Sequence, residues 1–366
     1  VGRLSASAWS PRPYRLMRCS PMRWRSPSDS RLDPRTRRGS RRRRSITGCA
    51  RRFPRSRPPS PTRCSTSSAP IQPRATRRSS RSAPPTSMAS PEADRVSGAD
   101  GGSFAEELAL AIEVADRCDQ VTLAGFGSAS LRIDHKADRS EVTEADRGAE
   151  RAALELLRSN RPDHAVLGEE FGTDGPADSP WRWIIDPIDG TSGFARGIPI
   201  WATLIALEHA DDGLAVAVVS APALGRRWWA TRGGGAFTSA FTSDGSARAC
   251  QVSTIDTLAE AQVSLAVNQG WHDLGAGLRL EEWALGARRS RNVGDFWQHC
   301  LVAEGAIDVA VDAVGLAIYD VAAPRLIVEE AGGMFTDHTG APSHAGPTAV
   351  SSNGTLHREV LNVISG

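Results

Sequence analysis

The 366-residue chain is long enough for one large or two medium domains, but its formal net charge of +2 describes neither end of it. Residues 1 to 100 hold 24 Arg, no Lys and five acidic residues, whereas residues 101 to 366 hold 20 basic and 37 acidic ones. The total charge is therefore no argument for nucleic-acid binding. No run approaches the ~18 apolar residues of a membrane-spanning helix, since the best candidate, Ile200 to Leu207, stops at Glu208-His209.

In chain order, residues 1–102 are rich in Arg, Ser and Pro without hydrophobic periodicity, which predicts a disordered extension. Runs such as Arg41-Arg42-Arg43-Arg44 suit polyphosphates or anionic lipid. The plainer expectation is sequence upstream of a start at Met88, and recurrent Pro argues against a transit peptide. Ser103-Phe104-Ala105-Glu106 has a capping-box pattern and opens a helix carrying Leu108, Ile112 and Ala115. Thr143-Glu144-Ala145-Asp146 opens a second, running to about Leu157 and closed by Asn160-Arg161-Pro162.

Ala165-Val166-Leu167 and Trp183-Ile184-Ile185 read as short strands, the latter stopped at Asp186-Pro187 because Pro lacks a ladder donor. A hairpin follows from Thr203 through Asp211-Asp212-Gly213 to Val219, with a third arm at Arg227 to Thr231. Beyond about residue 250, strand and helix alternate. Strands are expected at 263–267 and 307–311, helices at 278–287, 296–303 and 320–331, and short strands at 334–336 and 348–350. Gly332-Gly333 ends the last helix.

The six cysteines include no CxxC pair, which fits a reduced, cytoplasmic setting, and Cys118 and Cys300 sit where small buried hydrophobes belong. The eight His show no HxH or HExxH spacing, which excludes the usual zinc hydrolases. Three acidic groups lie at element boundaries: Glu169-Glu170, Asp186 with Asp189, and Asp320. Carboxylates converging from strand ends suit a hard cation such as Mg2+. Gly190-Thr191 adds backbone N–H groups at a turn, of the kind that holds phosphate oxygens. Taken singly, each acid is better read as an ordinary turn or capping residue; it is the set together that points to a metal.

Gly168-Glu169-Glu170, the run from Trp183 to Thr191, and Tyr319-Asp320-Val321-Ala322-Ala323 with Glu330-Ala331-Gly332-Gly333 resemble the signatures of the inositol monophosphatase family, over about 104 to 366. The resemblance implies an α/β fold, an α+β layered αβαβα sandwich. Residues 103–366 would form the phosphatase domain, with halves at about 103–245 and 246–366, working as a homodimer. It further implies that Glu169, Asp186 and the Ile188 carbonyl bind one Mg2+, that Asp186, Asp189 and Asp320 bind a second, and that Glu169 serves a weaker third. Thr191 with Asp146 would orient the attacking water, and Gly190 and Thr191 would hold the phosphate. The implied reaction is in-line hydrolysis of a small phosphate monoester without a phosphoenzyme. Ser192 has no His near it in sequence to serve as its base.

Val293-Gly294-Asp295-Phe296 resembles the family segment that faces the leaving group. A carboxylate at Asp295 suits a cationic substrate, and the surrounding sequence resembles the actinobacterial histidinol-phosphatase branch. Helix capping is the plainer reading of Asp295. The family's Glu seven residues before Asp320 is here Ala313, with Asp312 one place off, which weakens the case for a polyol substrate. Lys136 precedes the Val142-Thr143-Glu144-Ala145-Asp146 segment roughly where the family often has a Lys. Inositol 1-phosphate, sugar or nucleotide phosphates are the alternatives within the class. A non-catalytic binding module with a nucleic-acid-binding tail is the alternative outside it.

Overall fold

A computed structural model describes residues 104–128, 131–135, 141–240, 246–342 and 344–366. The expectations for residues 1–102, for Ser103 and for Lys136 lie outside the described residues. The elements in chain order are α1 (Ala105–Gly125), β1 (Ile133–His135), β2 (Glu141–Thr143), α2 (Glu144–Asn160), β3 (Ala165–Gly168), β4 (Gly172–Asp174), β5 (Trp181–Asp189), α3 (Thr191–Ala195), β6 (Ala202–His209), β7 (Gly213–Ala221), β8 (Arg226–Thr231), β9 (Gly235–Ala240) and β10 (Arg248–Ala249). There follow β11 (Gln262–Leu265), α4 (Gln269–Asp273), α5 (Gly277–Ala284), β12 (Arg289–Arg291), α6 (Asp295–Ala303), β13 (Val309–Val311), α7 (Ile318–Glu330), β14 (Met334–Thr336), β15 (Val350–Ser352) and α8 (His357–Ser365).

One sheet has the order β10-β9-β8-β7-β6-β5-β3-β4 and a second the order β12-β11-β13-β15-β14; β1 and β2 form a separate ribbon. Alternation along β5 explains how the first sheet is covered on both faces. Trp183 and Ile185 meet α1 and α2 through Leu110, Val114, Cys118, Ala149 and Leu157, while Ile184 meets the opposite layer. That opposite layer is α6 and α7, whose Phe296, Cys300, Val321 and Ile327 share a core with Leu204, Val219 and Trp228 of the first sheet and Ala310 and Phe335 of the second. Because α7 is enclosed by two sheets, it is apolar nearly all round. Trp271, Leu280, Val360 and Ile364 of α4, α5 and α8 cover the outer face of the second sheet. The layers therefore run αβαβα, an α/β sandwich.

The capping box at Thr143 is present: its hydroxyl accepts from Ala145 N and Asp146 N, and Asp146 reaches back to Thr143 N. Such a cap contributes about 1 kcal/mol. At α1 no side chain caps the helix, and Phe104 occupies the cap position. The strand expected to stop at Asp186 instead runs to Asp189. Asp186 pairs with Leu204 and Asp189 with Ala202, so β5 carries one extra residue there. Pro187 sits in this bulge, where no ladder donor is needed, and its carbonyl accepts from Thr203 Oγ1 at 2.8 Å.

Candidate active site

β3 and β5 are parallel, with Gly168 opposite Ile185, so their C-terminal ends open at the same place. Glu169 N donates to Ile185 O at 3.2 Å, which seats Glu169 beside Asp186. The bulge then turns Asp189 toward the N-terminus of α6, where Phe296 N donates to Asp189 Oδ2 at 2.7 Å. Asp320 arrives at the first turn of α7, its Oδ2 accepting from Ala317 N at 2.6 Å. Asp186 Oδ1 accepts from Ile188 N at 2.9 Å. Each of these three carboxylates thus uses one oxygen on the backbone, which fixes its rotamer. Each also offers an oxygen within 4.8 Å of the others.

Burial raises Asp186 well above the usual carboxylate range, and Glu169, Asp189 and Asp320 raise it further. Asp189 is raised in the same way by burial, Asp295 and Asp320. Asp320 is pushed up to about 7, chiefly by burial and also by Glu169 and Asp312. Among the described residues no Lys, Arg or His forms an ion pair with Asp186, Asp189 or Asp320. A set of acids whose main neighbours are other acids, on rotamers held by backbone N–H groups, fits a divalent cation.

Asp146 is fully buried at the start of α2 and is pushed up to about 6, burial being the main cause. Its Oδ2 accepts from Thr143 N at 2.8 Å and from Thr143 Oγ1 at 2.5 Å, while its Oδ1 lies 3.0 Å from Thr191 Oγ1. The Thr191 hydroxyl is also 2.9 Å from the Ile188 carbonyl. The expected Thr191–Asp146 pair is therefore present. Gly190 has φ +90°, and a Cβ there would come within 3.0 Å of Ile200 O, so both the turn and the space require glycine.

The profile of the inositol monophosphatase family matches residues 105–364. The chain belongs to the inositol monophosphatase family. It is 45% identical to a histidinol-phosphatase of Mycobacterium tuberculosis, covering 70% of this chain and 96% of that protein. It is 42% identical to a histidinol-phosphatase of Streptomyces coelicolor, covering 72% and 98%. The extragenic suppressor protein suhB of Bartonella henselae superposes with a TM-score of 0.64 at 26% identity, over 71% of this chain and 98% of that one. This inositol monophosphatase family member is accordingly a phosphoric monoester hydrolase.

Within this phosphatase, Asp295 does not cap its helix. Gly294 occupies the cap position without a side-chain bond, and Asp295 is the first residue of α6. With φ 49°, it is the one non-glycine residue at positive φ among the described residues. Its carboxylate faces Gly190: Oδ2 lies 3.4 Å from where a Cβ on that glycine would be. The protein mass around it and Asp312 push it up to about 6, although it stays open to solvent, which screens part of that effect. Ser192 Oγ is taken up by Arg196 Nη1 at 2.6 Å. Cys118, Cys250 and Cys300 are buried free thiols, all pushed upward by burial, Cys250 to about 12.

Of two further acids, Asp312 entered the sequence reading only as a residue one place off the family's Glu, and Glu150 escaped it. Asp312 pairs with His299 Nε2 at 3.0 Å, and His299 Nδ1 reaches Ser351 Oγ at 2.8 Å, one turn along α6 from Asp295. Glu150 is fully buried, accepting from Glu170 N at 2.7 Å and Phe171 N at 2.9 Å. The signal for Glu150 was available: it is an acid within the buried stripe of α2 formed by Ala145, Ala149, Ala153 and Leu157. A surface hollow lined by Arg151, Arg158, Phe171 and Asp174 lies elsewhere along α2 and includes none of the clustered carboxylates.

Proposed function

We propose that the chain hydrolyses L-histidinol phosphate to L-histidinol and phosphate, with Mg2+ held by Glu169, Asp186, the Ile188 carbonyl, Asp189 and Asp320. The observation that carries the substrate is Asp295, a carboxylate without a hydrogen-bond partner among the described residues, held at positive φ against Gly190. An aspartate kept in that backbone region costs about 1 kcal/mol, an expense that function explains better than packing. Histidinol phosphate carries an amine and an imidazole, and either cation pairs with a carboxylate. Similarity to proteins named histidinol-phosphatase supports the same substrate.

When bound, Mg2+ lowers the pKa of a water and offsets charge on the phosphate oxygens. Gly190 and Thr191 hold the phosphate through backbone N–H groups. The Thr191 hydroxyl, placed between Asp146 Oδ1 and the Ile188 carbonyl, orients the attacking water. Asp146, buried behind that hydroxyl, accepts the Thr191 proton at Oδ1 as Thr191 takes one from the water. The water oxygen bonds to phosphorus as the P–O ester bond breaks; the leaving alkoxide takes a proton from solvent water, and the proton held by Asp146 returns to solvent. The same reading has residues 103–366 acting as a cytoplasmic, homodimeric phosphatase domain. Among the described residues no helix is long and apolar enough to cross a membrane.

Phosphate release by the full chain with Mg2+, compared across L-histidinol phosphate, inositol 1-phosphate, fructose 1,6-bisphosphate and a phosphoadenosine phosphate, tests the reading. Asp295→Asn is expected to lower kcat/KM for histidinol phosphate about tenfold, roughly the value of one charge-assisted bond, and to spare the esters that lack an amine or imidazole cation. An equal loss on every ester would remove Asp295 from recognition.

A further inference from the structure

Glu150 stands apart from the carboxylates that the reaction uses. It shares a face of α2 with Asp146, four residues earlier, and both are fully buried. Its two oxygens accept from two successive amides, Glu170 N and Phe171 N, so it fills the concave nest made by the turn that follows β3. Gly168, at the end of β3, makes room for it: a Cβ there would lie 1.9 Å from Glu150 Oε1 and 2.3 Å from its Cδ. The glycine of the Gly168-Glu169-Glu170 element is thus required by the carboxylate behind it, since its φ is not positive.

The charges around Glu150 do not explain its presence. Burial and the like charges of Glu170 and Glu169 all disfavour its ionised form, whereas the two amides favour it. What it supplies is geometry. One helix face then sets two parts of the site, with Asp146 positioning Thr191 and Glu150 holding the turn that carries Glu169.

We propose that Glu150 is a positioning residue that fixes Glu169 for divalent-cation binding by holding the Glu169-Glu170-Phe171 turn through two backbone amides. This rests on the metal site proposed above. Glutamine has the same size but one acceptor oxygen, so in Glu150→Gln one of the two amides faces an NH2 donor. Loss of an outer partner of a metal ligand lowers affinity by about tenfold or more. Gly168→Ala displaces the carboxylate and acts in the same direction.

The test is Mn2+ binding to the metal-stripped full chain, read from the EPR signal of free Mn2+, alongside the Mg2+ concentration for half-maximal activity and Tm in EDTA. Glu150→Gln is expected to raise both the Mn2+ Kd and the Mg2+ requirement about tenfold, with kcat at saturating Mg2+ within about twofold of the parent. A lower Tm with unchanged Mn2+ affinity would make Glu150 structural only and overturn the proposal. Absence of Mn2+ binding by the unsubstituted chain would overturn the metal site and this proposal together. Should Glu150→Gln fail to fold, amide exchange in the unsubstituted chain decides: slow exchange at Glu170 and Phe171 is expected, and exchange at the rate of an open turn overturns it.

Discussion

Asp119 and Asp186 are both nearly inaccessible carboxylates, at 8% and 2% exposure, and burial raises both, Asp119 to about 6. Their surroundings differ. Asp119, on α1, receives Arg227 Nη2 at 2.8 Å and Ser220 Oγ at 2.8 Å on one oxygen, an ion pair between helix and sheet that Arg227 shares with Asp116. Asp186 faces Glu169, Asp189 and Asp320. The first has a counter-charge within the chain, and the second, on the proposed reading, takes its counter-charge from a bound cation.

The strongest break of this comparison is Asp186→Asn. On the proposed reading this removes a metal ligand, and kcat is expected to fall about a thousandfold, roughly 4 kcal/mol. In EDTA the same variant should melt above the parent, because one member of a mutually repelling set has gone. A lower Tm in EDTA would show the cluster to be neutralised from within.

Arg227→Met reverses the pattern. Met keeps much of the volume but leaves Asp119 buried without its cation, at a cost of about 3 kcal/mol in denaturant unfolding, with an unchanged Mg2+ requirement. A shifted Mg2+ requirement would mean that the two acid sets are coupled.

His357 sharpens the comparison from the side of burial alone. It is 1% exposed, set between Ser352 Oγ and Thr336 Oγ1 at 2.9 Å each, and burial lowers it to about 4. Because the unfolded chain binds a proton near pH 6.5 that the folded one refuses until about pH 4, stability is full above 6.5 and is lost as pH falls toward 4. The loss is at most about 3 kcal/mol. His357→Asn should flatten unfolding free energy across that window; an unchanged slope would assign it to other groups.

Much of this was legible in the sequence. Trp183-Ile184-Ile185 announced the middle of β5, Thr143 announced its helix, and the order of acids at strand ends announced the cluster. The bulge at Asp186–Asp189 was not legible, because it is defined by pairing with Leu204 and Ala202 across β6. Nor was the bond from Phe296 N to Asp189, which spans 107 residues. β1, β2 and β12 are three residues each, too short for periodicity to register, and α8 starts without a side-chain cap. The buried stripe of α2 pointed inward at Glu150, but its fit against Gly168, eighteen residues on, emerges only from the packing of α2 on β3.

The central claim is that the carboxylates at the ends of β3 and β5 and the start of α7 hold a cation that the phosphatase reaction requires. Its most direct test is phosphate release from L-histidinol phosphate by the full chain, stripped with EDTA and then titrated with Mg2+. The account predicts no release from the stripped protein and saturable recovery with Mg2+. Undiminished release after stripping would contradict it.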